Sequence, residues 1–269
     1  MREFHFGRTK LNSTPTLLTI ESTSRCNLRC VMCPHAIGAV DRPKHFDEQL
    51  VKRLTNFLLR SDAVQLHGIG EPLNSPSFWK LLKSVPSPSV CESSINTNLT
   101  VLDDHRLDGL LKSNLKILNV SLDAATSSTY RKIRGFDFEV VVRNIERVIA
   151  AKRQKGTIFP LVCINMTMMR TNIEEATDLV VLAANLGADQ VALWHLNRWE
   201  KDQMALYLVH REGWVFDYEK EGLWNYPELS NTCIRSAEQE ALRLGIKWCD
   251  DPNKSLYLSE ASGVDDGNG

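Results

Sequence analysis

Three cysteines, Cys26, Cys30 and Cys33, stand within eight residues in the spacing C-x-x-x-C-x-x-C, directly after the apolar run Leu17-Leu18-Thr19-Ile20. Thiols this close cannot all pair with one another, and even one bridge across so short a span would be strained, so soft-metal ligation is the economical reading. An iron–sulfur cluster is the natural occupant. A four-iron cubane takes four ligands, and three local cysteines leave one iron open to a substrate or cofactor. Structural zinc competes with this reading, but it would need a fourth ligand from His35 or a distant cysteine. Inert packing competes as well, yet the polar flanks Ser24-Arg25 and Pro34-His35 do not look like core. His35 reads as a loop residue. Cys91, Cys163, Cys233 and Cys249 have no partner at metal-ligand spacing and read as structural thiols.

Further chemistry-bearing residues follow apolar runs. Gly68-Ile69-Gly70-Glu71-Pro72 combines two glycines, which let backbone approach a ligand, with a carboxylate that can accept from an ammonium. Asn96-Thr97-Asn98, Ser121-Leu122-Asp123, Asn165 and Trp194 sit at or near the ends of strand-like runs, and Arg131 and Arg134 lie three apart on a helical turn. Each has a bland alternative: a Gly-x-Gly is often only a tight turn, an arginine a solvated helix residue, a tryptophan core. Their joint occurrence in order is what lifts them.

The elements that must position these residues alternate. Strands are predicted at Leu17 to Ser22, Ala63 to His67, Val90 to Asn96, Ile117 to Leu122, Leu161 to Met168 and Val191 to Leu196. Between them, helices are predicted over 46–60 with Asp47 and Glu48 in the first turn, from Ser75-Pro76 to about Lys83, from Asp103 or Asp104 to Ser113, from Phe138 through Ile149, and from Ile173 to Leu186 before Gly187. This is the pattern of a parallel sheet with crossover helices, and six such units without closure predict an α/β fold, a partial (β/α)6 TIM-like barrel. Loops after parallel strands share one end, where the site would lie.

Beyond Leu196 the pattern weakens. Residues 197–226 are dense in aromatics, including Trp199, Trp214, Phe216, Tyr218, Trp224 and Tyr226, without a clean period, and are expected to be loops and short helices over the barrel mouth. A helix from Asn231 to Leu244 and a short strand Ile246 to Cys249 are expected next. The division predicted is a barrel over 1–200, a capping extension over 201–258 and a disordered acidic tail over 259–269. A net charge of -1 argues against a general role on nucleic acid or a membrane surface. The N-terminus shows no apolar signal region and no stretch is long and apolar enough to span a bilayer, so the expected location is the cytoplasm. The scattered cysteines agree with a reducing compartment.

In order and spacing these motifs resemble the radical S-adenosylmethionine (radical SAM) enzymes. The C-x-x-x-C-x-x-C loop stands after the first strand, and Gly68-Ile69-Gly70-Glu71-Pro72 is similar to the family's Gly-Gly-Glu motif. The segments at Asn96, Ser121 and Tyr130-Arg131-Lys132-Ile133-Arg134-Gly135 resemble the subgroup that often carries an added C-terminal cluster domain. The resemblance runs from about residue 15 to 196. It implies a [4Fe-4S] cluster on Cys26, Cys30 and Cys33 whose open iron binds the amino and carboxylate groups of S-adenosylmethionine. It further implies reductive cleavage to a 5′-deoxyadenosyl radical that abstracts hydrogen from a small-molecule or peptide substrate. Implied for the cofactor are Gly68, Gly70, Glu71 on the ammonium, Asn96, Ser121, Arg134 on the carboxylate, Asn165 and Trp194. A flavodoxin- or ferredoxin-like electron donor is implied as partner. Cys233 and Cys249 are too few for an auxiliary cluster, which lowers the weight of a peptide-modifying role. A non-catalytic iron–sulfur or zinc protein is the alternative, and the glycine turn with Glu71 argues against it, because an electron carrier needs no ammonium acceptor.

Overall fold

The computed structural model describes residues 15–200 and 207–249, together with residues 7, 13, 203 and 205. Seven strands form one sheet: β1 Leu17–Thr19, β2 Ala63–Gln65, β3 Glu92–Thr97, β4 Ile117–Ser121, β5 Leu161–Met168, β6 Gln190–His195 and β9 Lys247–Cys249, in the order β1-β2-β3-β4-β5-β6-β9. Pairing is parallel between β1 and β2, β2 and β3, β3 and β4, and β6 and β9. The fold class is α/β, as the alternation predicts. β5 is the apolar run buried at almost every position, whereas β3 alternates, so its even face carries polar Ser94 and Asn96.

The helices are set by local chemistry. α1 (Glu48–Leu58) is capped by Asp47, α2 (Pro76–Leu82) by Ser75 with Pro76 where its missing donor costs nothing, and α3 (Asp104–Leu111) by Asp103. α4 (Ser127–Arg134) runs from its Thr126 cap to Gly135, whose φ of 68° ends it in the left-handed region. α5 is Phe138–Lys155. α6 (Ala176–Leu186) follows a 3-10 turn at Ile173–Glu175 and stops at Gly187.

The region after Leu196 corrects the expectation of loops and short helices. β7 (Leu208–Arg211) and β8 (Trp214–Asp217) form an antiparallel hairpin across a two-residue turn, with Glu212 at φ 48° and Gly213 at φ 78°. Positive φ at both central positions is the turn that matches strand twist, and Glu-Gly between two runs rich in branched and aromatic residues was its signal. Phe216 and Tyr218 are fully buried and stack edge-on at 5.9 Å, so part of the aromatic density is core. A short α7 (Tyr218–Glu221) leads to α8 (Pro227–Leu244), which starts at its proline and so earlier than Asn231. β9 then joins the main sheet.

Contacts divide the chain into two compact units. The first comprises the chain to Arg29, Cys33–Ser121 and Glu139–Cys163, and is filled by residues such as Val64, Phe78, Ile95 and Leu118. The second comprises Cys30–Met32, Leu122–Phe138 and the chain from Ile164, filled by Ile164, Met166, Val180, Phe216 and Ile234. The segment beyond residue 200 is thus grouped with later elements of the sheet. The tail at 259–269 lies outside the described residues.

Candidate cluster and cofactor site

In the first unit, Cys26 opens the cysteine loop. Its sulfur faces the Leu28 N–H at 3.4 Å and the Asn98 side-chain amide at 3.8 Å, contacts of the kind that stabilise a thiolate. Asn98, just past the end of β3, also donates to Asn27 Oδ1 at 3.1 Å and accepts from the Thr100 N–H and hydroxyl, so its amide is oriented on both sides. Asn96, two residues earlier, is half-buried on the strand and lies opposite Asn119 in register. The asparagine whose side chain reaches the cysteine is Asn98.

Glu71 holds this arrangement from behind. It is 2% exposed; Oε1 accepts from Thr97 Oγ1 at 2.6 Å and from the Leu73 N–H at 3.1 Å, and Oε2 accepts from the Asn98 N–H at 2.8 Å. The carboxylate thus accepts from three protein donors, caps the 3-10 turn Pro72–Asn74 and fixes the end of β3. The glycines before it also serve packing. A Cβ at Gly70 would lie 2.2 Å from the Thr23 carbonyl oxygen and 2.6 Å from that of Arg25, and one at Gly68 would overlap the Glu21 side chain at 2.4 Å. The turn is pressed against the backbone leading into Cys26, and the Glu71 N–H bonds the Arg25 carbonyl at 2.9 Å.

In the second unit, Cys30 is buried, and Arg134, the last residue of α4, donates from Nη1 to its sulfur at 3.4 Å. The adjacent Val31 N–H donates to the carbonyl of Ile133 at 3.0 Å. Two consecutive residues of a helix end thus hold two consecutive residues of the cysteine loop. The other side of the Arg134 guanidinium pairs with Asp123 at 2.5 Å. Burial alone would lower the arginine's pKa, but the charges of Asp123 and Cys30 outweigh it and the pKa is raised. This places Arg134 against the cysteine loop; Arg131 is exposed.

The remaining candidates are spread along the sheet. Ser121 is the half-buried last residue of β4, after which the chain leaves the strand and Asp123 takes φ 62°. Asn165 is buried in β5, and its carbonyl accepts from the N–H groups of Leu122 at 3.0 Å and Asp123 at 3.2 Å. Trp194 is half-buried on β6. His35 is buried, and burial followed by the Arg29 charge lowers its pKa. Asn98 and Asp123 are the residues that sequence reasoning passed over for their neighbours; both lay inside the quoted motifs.

None of the seven cysteines is in a disulfide. Among the described residues, no three His, Cys, Asp or Glu side chains are drawn together as ligands of a single metal ion, the closure a tetrahedral zinc site needs. A cubane makes no such demand, because each thiolate takes its own iron. Donors already aimed at Cys26 and Cys30 suit sulfurs that carry negative charge toward a cluster.

The framework is a seven-stranded α/β sheet whose first strand feeds a three-cysteine loop. The profile of the Radical SAM superfamily matches residues 20–183, and the chain belongs to that superfamily of enzymes. It is 27% identical to the AdoMet-dependent heme synthase of Methanosarcina barkeri over 256 residues, 88% of this chain and 68% of that protein. It is 31% identical to the probable GTP 3′,8-cyclase of Pyrococcus abyssi over 186 residues, 68% of this chain and 56% of the relative. Streptococcus suis SuiB bound to S-adenosylmethionine superposes with a TM-score of 0.62 at 15% identity, over 89% of this chain and 51% of SuiB, a likeness of fold that agrees with a partial TIM-like barrel. The chain thus spans about half the length of the cyclase and of SuiB.

Proposed function

We propose that this chain holds a [4Fe-4S] cluster through Cys26, Cys30 and Cys33 and uses it to cleave S-adenosylmethionine reductively, generating a 5′-deoxyadenosyl radical that abstracts hydrogen from a small-molecule or peptide substrate. The observation that carries the reading is that side-chain N–H groups from two separate elements, Asn98 after β3 and Arg134 at the end of α4, are directed at two cysteines of one loop. When bound, the cluster supplies the electron that breaks the sulfonium bond, and an external flavodoxin- or ferredoxin-like donor replaces that electron. The chain's own residues bind, orient and shield. The Gly68–Gly70 backbone, Asn96, Ser121, Asn165 and Trp194 are assigned to the cofactor by their positions at or near strand ends. The extension from residue 201 is assigned to the substrate side. Its support is Arg211 of the hairpin, which donates to the carbonyls of Lys132 at 3.2 Å and Ile133 at 2.9 Å beside Arg134. Among the described residues no helix is long and apolar enough to cross a membrane, and the proposed location is the cytoplasm.

The test is anaerobic reconstitution with iron and sulfide, followed by dithionite and S-adenosylmethionine. About four irons per chain and formation of 5′-deoxyadenosine are expected, and both are lost in Cys26→Ala, Cys30→Ala and Cys33→Ala. Any one of these variants retaining wild-type iron and cleavage would overturn the assignment.

A further inference from the structure

Arg134 and Asp123 form a built unit that the proposed binding of the cofactor does not require. Arg134 is 9% exposed, with Nη1 on Cys30 and Nη2 on Asp123, and its Nε is buried without a hydrogen-bond acceptor among the described residues. Little of it is open to a ligand carboxylate. Asp123 is fixed more firmly still. Its N–H bonds the Asn165 carbonyl at 3.2 Å, its carbonyl accepts from Asn172 Nδ2 at 2.8 Å, and its Oδ1 accepts from the Thr167 N–H at 2.7 Å. These bonds hold an aspartate at φ 62°, a conformation non-glycine residues seldom adopt and that persists only where surroundings over-determine it. Tyr130 packs in the same pocket, and burial raises its pKa, so it adds no charge there.

We infer that Arg134 is a positioning residue for the cluster: anchored by Asp123, it presents a fixed N–H and positive charge to the Cys30 thiolate and raises the potential at which the cluster accepts its electron. The inference rests on the proposed cluster. Adding one electron makes the cluster more negative with no bond made or broken, and a donor on a ligand sulfur favours that more charged state. Because the arginine is held at both ends, the donor needs no reorganisation when the electron arrives.

The experiment is a redox titration of reconstituted protein without S-adenosylmethionine, poised with dithionite and read by electron paramagnetic resonance, with iron content and cofactor affinity measured beside it. Arg134→Gln is expected to lower the midpoint by the equivalent of about tenfold in the reduction equilibrium, about 59 mV for one electron. Arg134→Lys keeps charge but loses the forked donor and is expected to fall between it and wild type. A wild-type midpoint in either cluster-containing variant, with only cofactor affinity weakened, would overturn the inference and return Arg134 to the cofactor. Loss of the cluster from both variants while circular dichroism remains native would overturn it too, by making Arg134 a requirement for holding iron. If wild-type protein takes up no cluster, it is the proposed function that fails.

Discussion

Replacing Glu71 separates two roles for this carboxylate. In the structure it is a buried hub accepting from Thr97 Oγ1, the Leu73 N–H and the Asn98 N–H. Glu71→Gln keeps one carbonyl oxygen, which can serve Thr97 and Leu73, but its NH2 then faces the Asn98 N–H, donor against donor. The loss is one hydrogen bond to a charged group, about 1.5–3 kcal/mol. Glu71→Ala strands all three donors, and at roughly 1–2 kcal/mol each the cost is about 3–6 kcal/mol. Urea unfolding of the apo-protein followed by tryptophan fluorescence reads both, as lower midpoints at unchanged slope. Because the same Asn98 reaches Cys26 with its side chain, iron uptake should fall in the alanine variant as well. If Glu71 served chiefly as an acceptor for a ligand ammonium, both variants would unfold within about 0.5 kcal/mol of wild type and only cofactor affinity would drop. That result would refute the hub.

Gly70→Ala should lower the Tm severely, by the equivalent of more than about 3 kcal/mol, because its Cβ would meet backbone carbonyls at 2.2 and 2.6 Å. Gly245→Ala is the control: it sits at φ 70° with nothing within 4 Å, so only the left-handed cost of about 1–2 kcal/mol applies, and equal losses in the two would show that steric contact at Gly70 is not the cause. Arg211→Ala removes two bonds to the end of α4, about 1–2 kcal/mol in all. Since Ile133 accepts from both Arg211 and Val31, hydrogen exchange at the Val31 amide should speed up, and an unchanged rate would show that the hairpin does not support the cysteine loop.

The sequence by itself determined the alternation of strands and helices, the helix starts near Asp47, at Ser75-Pro76 and at Asp103 or Asp104, and the stop at Gly187, since these depend on neighbours a few residues apart, while the structure made Asp47 and Asp103 the caps. The sequence determined the cysteine loop for the same reason, the three thiols being close in the chain whatever the fold does. Tertiary structure decided which polar groups serve that loop. Cys30 meets Arg134 across 104 residues and Cys26 meets Asn98 across 72, separations over which periodicity carries burial but not partners. Where β3 ends places Asn98 beside Cys26, and Asp123, at φ 62°, pairs with Arg134. The same limit applies to Glu71. Its motif marked it as an acceptor, and only the packing of β3 against the glycine turn settled that Thr97 and Asn98 are the donors it accepts from, because a buried carboxylate is held by whichever N–H and O–H groups the fold brings within reach.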